Sequence, residues 1–285
     1  MRNNITSGTL KLIAVLIGMS SCEIINPDEP IPSIVHIDSV QFVAGTGNGS
    51  SSASIIDCWV YVDNDLQGTY EMPFTIPMQF TGTHTISIRS GIKVNGLTAI
   101  RSVNPLYTNF DTIVNLEPEK TTTLSPKSTY INSTIVNIVD DFNTGTVQFQ
   151  RDPDSDTAIV AVANDVFEGP FSGAFYFSGT RTRFSVTSLN KYVLTKGKYN
   201  IIELNYKCDN AFVVGLVRNY LGQTSRIQIL AVLPSEGKWK KIYVSIIDVV
   251  NNLSADNYNI WIYAQRDQGI SNATVLLDNI KLVHN

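Results

Sequence analysis

Polar and apolar residues alternate along much of this chain with a period close to two, the signature of half-buried β-strands. In "IIDCWVYVDNDLQGTYEMP", Asp57, Trp59, Tyr61 and Asp63 fall on one face of a strand and Cys58, Val60 and Val62 on the other. "DNDLQG" follows as a turn. "HTISIRSG" repeats the alternation, with Ile86 and Ile88 directed inward. "IVHIDSVQFV" alternates more weakly, and the Gly/Ser run "GTGNGSSSAS" reads as a flexible hairpin tip. "GIKVNGLTAIRSVNP" and "FDTIVNLEPEKTTTLSP" complete a first set of strands. The polar, proline-containing stretch "EPEKTTTLSPKSTYINS" marks a boundary. Beyond it lie nine strand-like segments, from "STIVNIVDDFNTG" to "ATVLLDNIKLV", each bounded by Gly, Asn, Asp or Pro and none helical in period. The pattern predicts an all-β chain with one sandwich over 33–125 and a second, two-sheet sandwich over 126–285.

The first 32 residues depart from this pattern. Arg2 and Lys11 flank a polar start, and Leu12 to Met19 is an apolar run too short to span a bilayer but long enough for a signal-peptide core. Ser20, Ser21 and Cys22 follow. "MSSC" resembles the lipobox of bacterial lipoproteins, with Met19 where that pattern prefers Leu. The resemblance implies that 1–21 is a signal peptide and that Cys22 is lipidated and anchors the protein to a membrane; the alternative is an ordinary cleaved signal with an incidental cysteine. "EIINPDEPIPS" crowds three prolines and three acids into an extended tether over 22–32, since proline blocks both helix and central strand. Acids after the anchoring cysteine resemble the surface-export signal of Bacteroidetes lipoproteins. This implies an outer-membrane location facing the cell exterior.

Composition narrows the function classes. Charged residues make up 16% of the 285-residue chain, below the usual quarter, as suits extracellular β modules. A net charge of −4 offers no basic surface for nucleic acid. Besides Cys22, only Cys58 and Cys208 are present. They fall in different halves, read as buried thiols, and make no zinc-type spacing. The three histidines, His36, His84 and His284, sit in no Gly-x-Ser-x-Gly or His-Glu-x-x-His context, and no carboxylate pair can be placed across a cleft. The expectation is a protein that is not an enzyme.

The order strand, turn, "G-x-Y-x-x-P", strand in the first half resembles PEGA-like and other small immunoglobulin-type sandwiches of bacterial surface proteins. In the second half, "DDFNTG", "LNYKCDNAFVVGL", "EGKWKKIYVSI" and "LLDNIKLV" resemble jelly-roll carbohydrate-binding modules. That resemblance implies non-catalytic glycan binding and a structural calcium near the domain's chain ends, at Asp141 and Asp278; both residues could equally cap turns. Asp152, Asp154 and Asp156 of "RDPDSDTA" alternate as calcium ligands can, but the glycine and distal glutamate of a calcium loop are missing, and a solvated acidic hairpin is the better reading. In "YNIWIYAQ", Trp261 and Tyr263 share the face opposite Ile260 and Ile262. They either offer two flat rings to a sugar or belong to the core. Trp59 and Trp239 are expected in the core or at a domain contact. The leading expectation is a lipid-anchored surface protein that binds a glycan or another surface polymer. The alternative is a structural or assembly subunit of an outer-membrane export, gliding or barrel-insertion machine, with a protein partner.

Overall fold

The structure is a computed structural model that describes residues 31–285; the expected signal peptide, Cys22 and most of the tether lie outside the described residues. The first half forms β1 (Ser33–Ile37), β2 (Gln41–Phe42), β3 (Asp57–Val62), β4 (Asp65–Glu71), β5 (Phe74–Met78), β6 (Gly82–Lys93), β7 (Arg101–Val103), β8 (Phe110–Leu116), β9 (Thr121–Leu124) and β10 (Lys127–Ser128). One sheet has the order β5-β1-β9, and the facing one runs β4-β3-β6-β7 with β8 also on β6. Their inner faces interdigitate through Val35, Ile37, Met78 and Leu124 on one side and Cys58, Val60, Val62, Ile86, Ile88 and Leu116 on the other. The inward residues of β3 and β6 are those that the alternation assigns.

The second half contains β11 (Ile135–Asp140), β12 (Phe149–Arg151), β13 (Val160–Val162), β14 (Ser172–Phe177), β15 (Arg183–Ser188), β16 (Asn200–Cys208), β17 (Phe212–Tyr220), β18 (Gln223–Val232), β19 (Lys240–Ser245), α1 (Ile247–Asn252), β20 (Asn257–Gln265) and β21 (Ala273–His284). One sheet runs β13-β14-β21-β16-β19, with β11 also on β21, and the other β12-β15-β20-β17-β18. From β14 onward the chain passes from one sheet to the other at almost every step, a jelly-roll arrangement. The core between them holds Phe175, Phe177, Ile202, Leu204, Val275 and Leu277 from the first sheet and Phe184, Val186, Phe212, Leu216, Ile260 and Ile262 from the second. The helix α1 departs from the strand-only expectation. It has fewer than two turns, too few for a helical period to show, and tucks Val250 into the core.

The two sandwiches are joined by a third apolar cluster. Phe42, Ala44, Ile92, Leu106, Tyr107 and Tyr130 come from the first half and the segment just after it, and Ile201, Tyr243 and Val283 from the β16-β19-β21 sheet. Phe42 stacks on Tyr107 at 4.3 Å between ring centroids and meets Tyr130 edge-on at 5.0 Å. The stretch around residue 126, expected as a polar boundary, is part of this joint: β10 pairs in parallel with β2, and Tyr130 is buried.

At the centre of the joint sits the carboxylate of Glu203, 1% exposed. Tyr107 Oη donates to its Oε1 at 3.5 Å and Tyr130 Oη to its Oε2 at 3.3 Å, while the Lys241 ammonium stands 3.2 Å from Oε2. Burial, and next the Glu203 charge, push the hydroxyls of both tyrosines above their usual pKa, so they stay protonated and donate.

The Gly/Ser run is no free hairpin tip. It lies along the second sandwich, where Lys281 Nζ donates to Ser50 O at 2.5 Å, Asn205 Nδ2 to Ser52 Oγ at 2.9 Å and Ser54 N to Tyr243 Oη at 2.8 Å. Gly49, at φ +67°, passes so close to Lys281 and Ile138 that a Cβ there would stand 3.2 Å from Lys281 Cε. This docking covers the outer face of the β16-β19-β21 sheet, which explains why β16 and β21 are buried at almost every position and lose the period of two.

Removing one partner from a buried ion pair strands the other. Glu203→Ala is therefore expected to cost about 3–5 kcal/mol of stability in urea denaturation. Tyr130→Phe, which deletes one hydrogen bond and keeps the ring, should cost only about 1 kcal/mol. Equal losses in the two variants would contradict this reading of the joint.

Candidate functional site

With one sheet of the second sandwich covered, the β12-β15-β20-β17-β18 sheet presents the free outer face. On β20 the even positions Tyr258, Ile260, Ile262 and Ala264 enter the core, and Trp261 and Tyr263 point outward, side by side, with ring centroids 5.4 Å apart and planes 25° apart. Trp261 pairs across the sheet with Thr187 of β15 and Gly215 of β17. A Cβ on Gly215 would lie 2.8 Å from Trp261 Cε3 and 2.4 Å from Ile227 O, so only glycine leaves room for the indole.

The rings are not open platforms. Trp261 is 4% exposed. Its Nε1 donates to Ser185 Oγ at 2.9 Å, and the Arg226 guanidinium of β18 lies over its ring at 5.6 Å. The Arg183 guanidinium lies 5.0 Å over Tyr263, which keeps a half-buried edge. "RDPDSDTA" crosses this layer as a strap. Asp152 pairs with Arg226 at 2.8 Å and accepts from Ser185 Oγ and Thr187 Oγ1 at 2.5 and 2.9 Å. Asp154 bridges Arg183 at 2.6 Å and Arg226 at 3.0 Å, and Asp156 accepts the backbone N–H groups of Thr182 and Arg183. Burial pushes the Asp154 carboxyl upward, but the bonds from Arg226 and Arg183 outweigh it and hold the group below the usual carboxylate range. The three aspartates are thus committed to arginines and backbone amides; they form neither a calcium loop nor a solvated hairpin.

Beside Arg226 the face opens into a groove of about 650 Å³, lined by Gln150, Arg151, Thr187, Lys191, Asn219, Thr224 and Asn259 among others. Its floor is a fixed amide ladder. Asn219 Nδ2 donates to the Oδ1 atoms of Asn257 and Asn259, both at 2.9 Å, and Asn259 Nδ2 donates to Ser188 O at 2.8 Å and Asn190 O at 3.0 Å. Arg151, Lys191 and Gln150 are exposed along its rim. Amides and hydroxyls on a rigid sheet, beside an Arg226 guanidinium already paired with Asp152 and Asp154, can bind a polyhydroxylated ligand.

Asp141 and Asp278 both bond backbone. Asp141 Oδ1 accepts from Asn143 N at 3.2 Å. Asp278 accepts from Ser172 Oγ at 2.6 Å, Glu168 N at 3.3 Å and Asn279 N at 2.7 Å. In the "DDF" stretch buried Asp140 accepts from Phe142 N and Gln148 N, and its carboxyl is pushed up mainly by burial and, less, by the charges of Asp141 and Asp278. Among the described residues no three His, Cys, Asp or Glu side chains cluster as a metal site. Of the other aromatics, Trp59 is half-buried in the first sandwich, and Trp239 lies beside the contact between sandwiches. Arg226, Arg183 and Gly215 were not singled out from the sequence: their roles arise from strand pairing over long separations, which no local pattern carries.

No protein-family model matches the chain, and no curated protein matches it. Several solved structures are similar to it. The CBM22-1 xylan-binding domain from Paenibacillus barcinonensis Xyn10C is 15% identical, over 52% of this chain and 94% of its own, with a TM-score of 0.38. A family 16 carbohydrate-binding module-2 is also 15% identical, over 51% and 99%, with a TM-score of 0.37. A carbohydrate-binding module of the β-sandwich superfamily is 12% identical over 90% and 99%, with a TM-score of 0.38. The structural neighbours named here are carbohydrate-binding modules; at such identity and TM-score, the sandwich assignment rests on the strand order itself.

Two outcomes follow from this geometry. Trp261→Ala, which empties a covered site, should destabilise the protein by about 3–5 kcal/mol in urea denaturation; a loss below 1 kcal/mol would mean the ring is open. Burial pushes the Asp140 and Asp278 carboxyls up to about 6 each. Both therefore hold a proton more tightly folded than unfolded. Their contribution is fully present below the unfolded pKa of about 4 and is lost as pH rises through about 6. Asp278→Asn should flatten that fall in the urea midpoint between pH 4 and 6.5; an unchanged slope would contradict the assignment.

Proposed function

We propose that this protein is a non-catalytic surface lipoprotein, held at the outer membrane through Cys22, whose second sandwich binds a glycan or a related surface polymer along the free outer face of the β12-β15-β20-β17-β18 sheet. The observation that carries the reading is the groove of about 650 Å³ beside Arg226, with its fixed Asn219–Asn257–Asn259 ladder. The covering of the opposite sheet by the first sandwich supports the same choice of face. In this reading Trp261 and Tyr263 are the floor that sets the height of Arg226 and Arg183. Sugar hydroxyls meet Arg226, Asn259, Thr187 and Gln150, and Tyr263 offers its half-buried edge. The first sandwich and the tether act as a spacer between membrane and ligand.

A glycan array probed with residues 31–285, beside a pull-down from membranes, tests the proposal. Asn259→Ala and Arg226→Ala are expected to lower retention on the bound glycan by about tenfold or more, as truncated anchors do. Capture of an outer-membrane protein with no glycan retained would instead favour the assembly-subunit reading. For the anchor, Cys22→Ala should release the full chain from membranes or leave it unprocessed, since stable attachment depends on the acyl chains. A wild-type mature N-terminus without acyl mass would contradict the anchor.

A further inference from the structure

Beside the joint between the sandwiches lies a second, open cavity, of about 580 Å³, that the open-face reading does not use. The first sandwich contributes Ser52, Ser54, Lys93 and Gly96, and the second contributes Phe167, Asn205, Trp239 and Lys240. The Trp239 indole is half-buried, tilts against Phe167 at 5.5 Å, and is fixed by donation from Nε1 to Asp165 Oδ1 at 3.3 Å. Asn205, 1% exposed, gives its Nδ2 to Ser52 Oγ, while its Oδ1 has no donor. A buried acceptor left bare is costly and marks a place where a ligand hydroxyl gains more than it would elsewhere. The lining includes three lysines and no carboxylate. Lys241 pairs with Glu203, 3.2 Å away, which leaves Lys93 and Lys240 as the cavity cations that, among the described residues, make no ion pair within 4 Å.

We infer that this cavity is a saccharide site of its own, for a carbohydrate ring that carries a carboxylate, that is, a uronic-acid unit. The ring's apolar face lies on Trp239, a hydroxyl donates to Asn205 Oδ1, and the carboxylate lies between Lys93 and Lys240. A flat indole accounts for the sugar ring, and a lysine pair without a carboxylate in the lining accounts for the negative charge. The cavity volume fits one or two such rings. Because the two lysines come from different sandwiches, the site is complete only in the docked chain, and binding there reports on the joint.

The test is isothermal titration of residues 31–285 with oligosaccharides of galacturonate, of glucuronate and of mannuronate–guluronate, beside neutral oligomers of equal length. The wild-type protein should bind at least one acidic series more tightly than its neutral counterpart, and more weakly as salt rises. Trp239→Ala and Lys93→Met should each weaken that binding by about tenfold or more. Lys93→Met sits in the first sandwich, so it keeps the test valid if Trp239→Ala loses stability. Acidic binding that is lost in Arg226→Ala but kept in both Trp239→Ala and Lys93→Met would place the ligand on the open face instead of in this cavity. Absence of acidic-oligomer binding, or binding indifferent to both Trp239→Ala and Lys93→Met, would overturn the inference.

Discussion

The buried carboxylate of Glu203 is the constraint on which the rest of the arrangement depends. A charge taken out of water is costly unless paired and hydrogen-bonded. On its own sheet Glu203 has Lys241 beside it and Lys281 across from it on β21; its hydroxyl donors, Tyr107 and Tyr130, stand on the segments that lead out of the first sandwich. An isolated second sandwich would expose Glu203, Tyr243, Ile201 and Val283 together on one sheet face. The carboxylate thus makes docking of the first sandwich specific in position, and the surrounding aromatic cluster makes it favourable.

That docking decides which surfaces remain for ligands. It covers the β16-β19-β21 face with Phe42, Tyr107, Tyr130 and the Ser50–Ser54 strap, and it leaves the sheet of Trp261 free. On the free face a second layer forms. Two rings lie beneath two arginines, and the Asp152–Asp156 strap lies over the arginines. Each layer satisfies the one below it, so the polar groups that line the groove are set by side chains already fixed, and little ordering remains to be done when a ligand arrives.

The sequence reads well where one face of a strand is wet. Cys58, Val60, Val62, Ile86 and Ile88 alternate cleanly and lie in the first core. Ile260 and Ile262 enter the second core, which puts Trp261 and Tyr263 on the outer face, as strand parity requires. It reads poorly where burial comes from a distant segment. β16 and β21 are buried on both faces and show no clean period. β12 and β15, both part of the free sheet, escape notice because "FQR" is too short and "RFSVTS" follows an arginine-rich turn. Whether Trp261 is open or covered depends on Arg226 and Asp152, which are 74 residues apart in the chain and meet only through the pairing of β17 with β18 and β20. The same holds for the Gly/Ser run, flexible by composition yet held by Lys281, more than two hundred residues away.

The most direct test of this account is calorimetric. If Glu203 and its aromatic surround weld the two sandwiches, residues 31–285 should unfold in a single transition whose calorimetric and van't Hoff enthalpies agree. Two separate transitions, one of them at the melting temperature of residues 126–285 alone, would show that the sandwiches are independent and would contradict the joint as described.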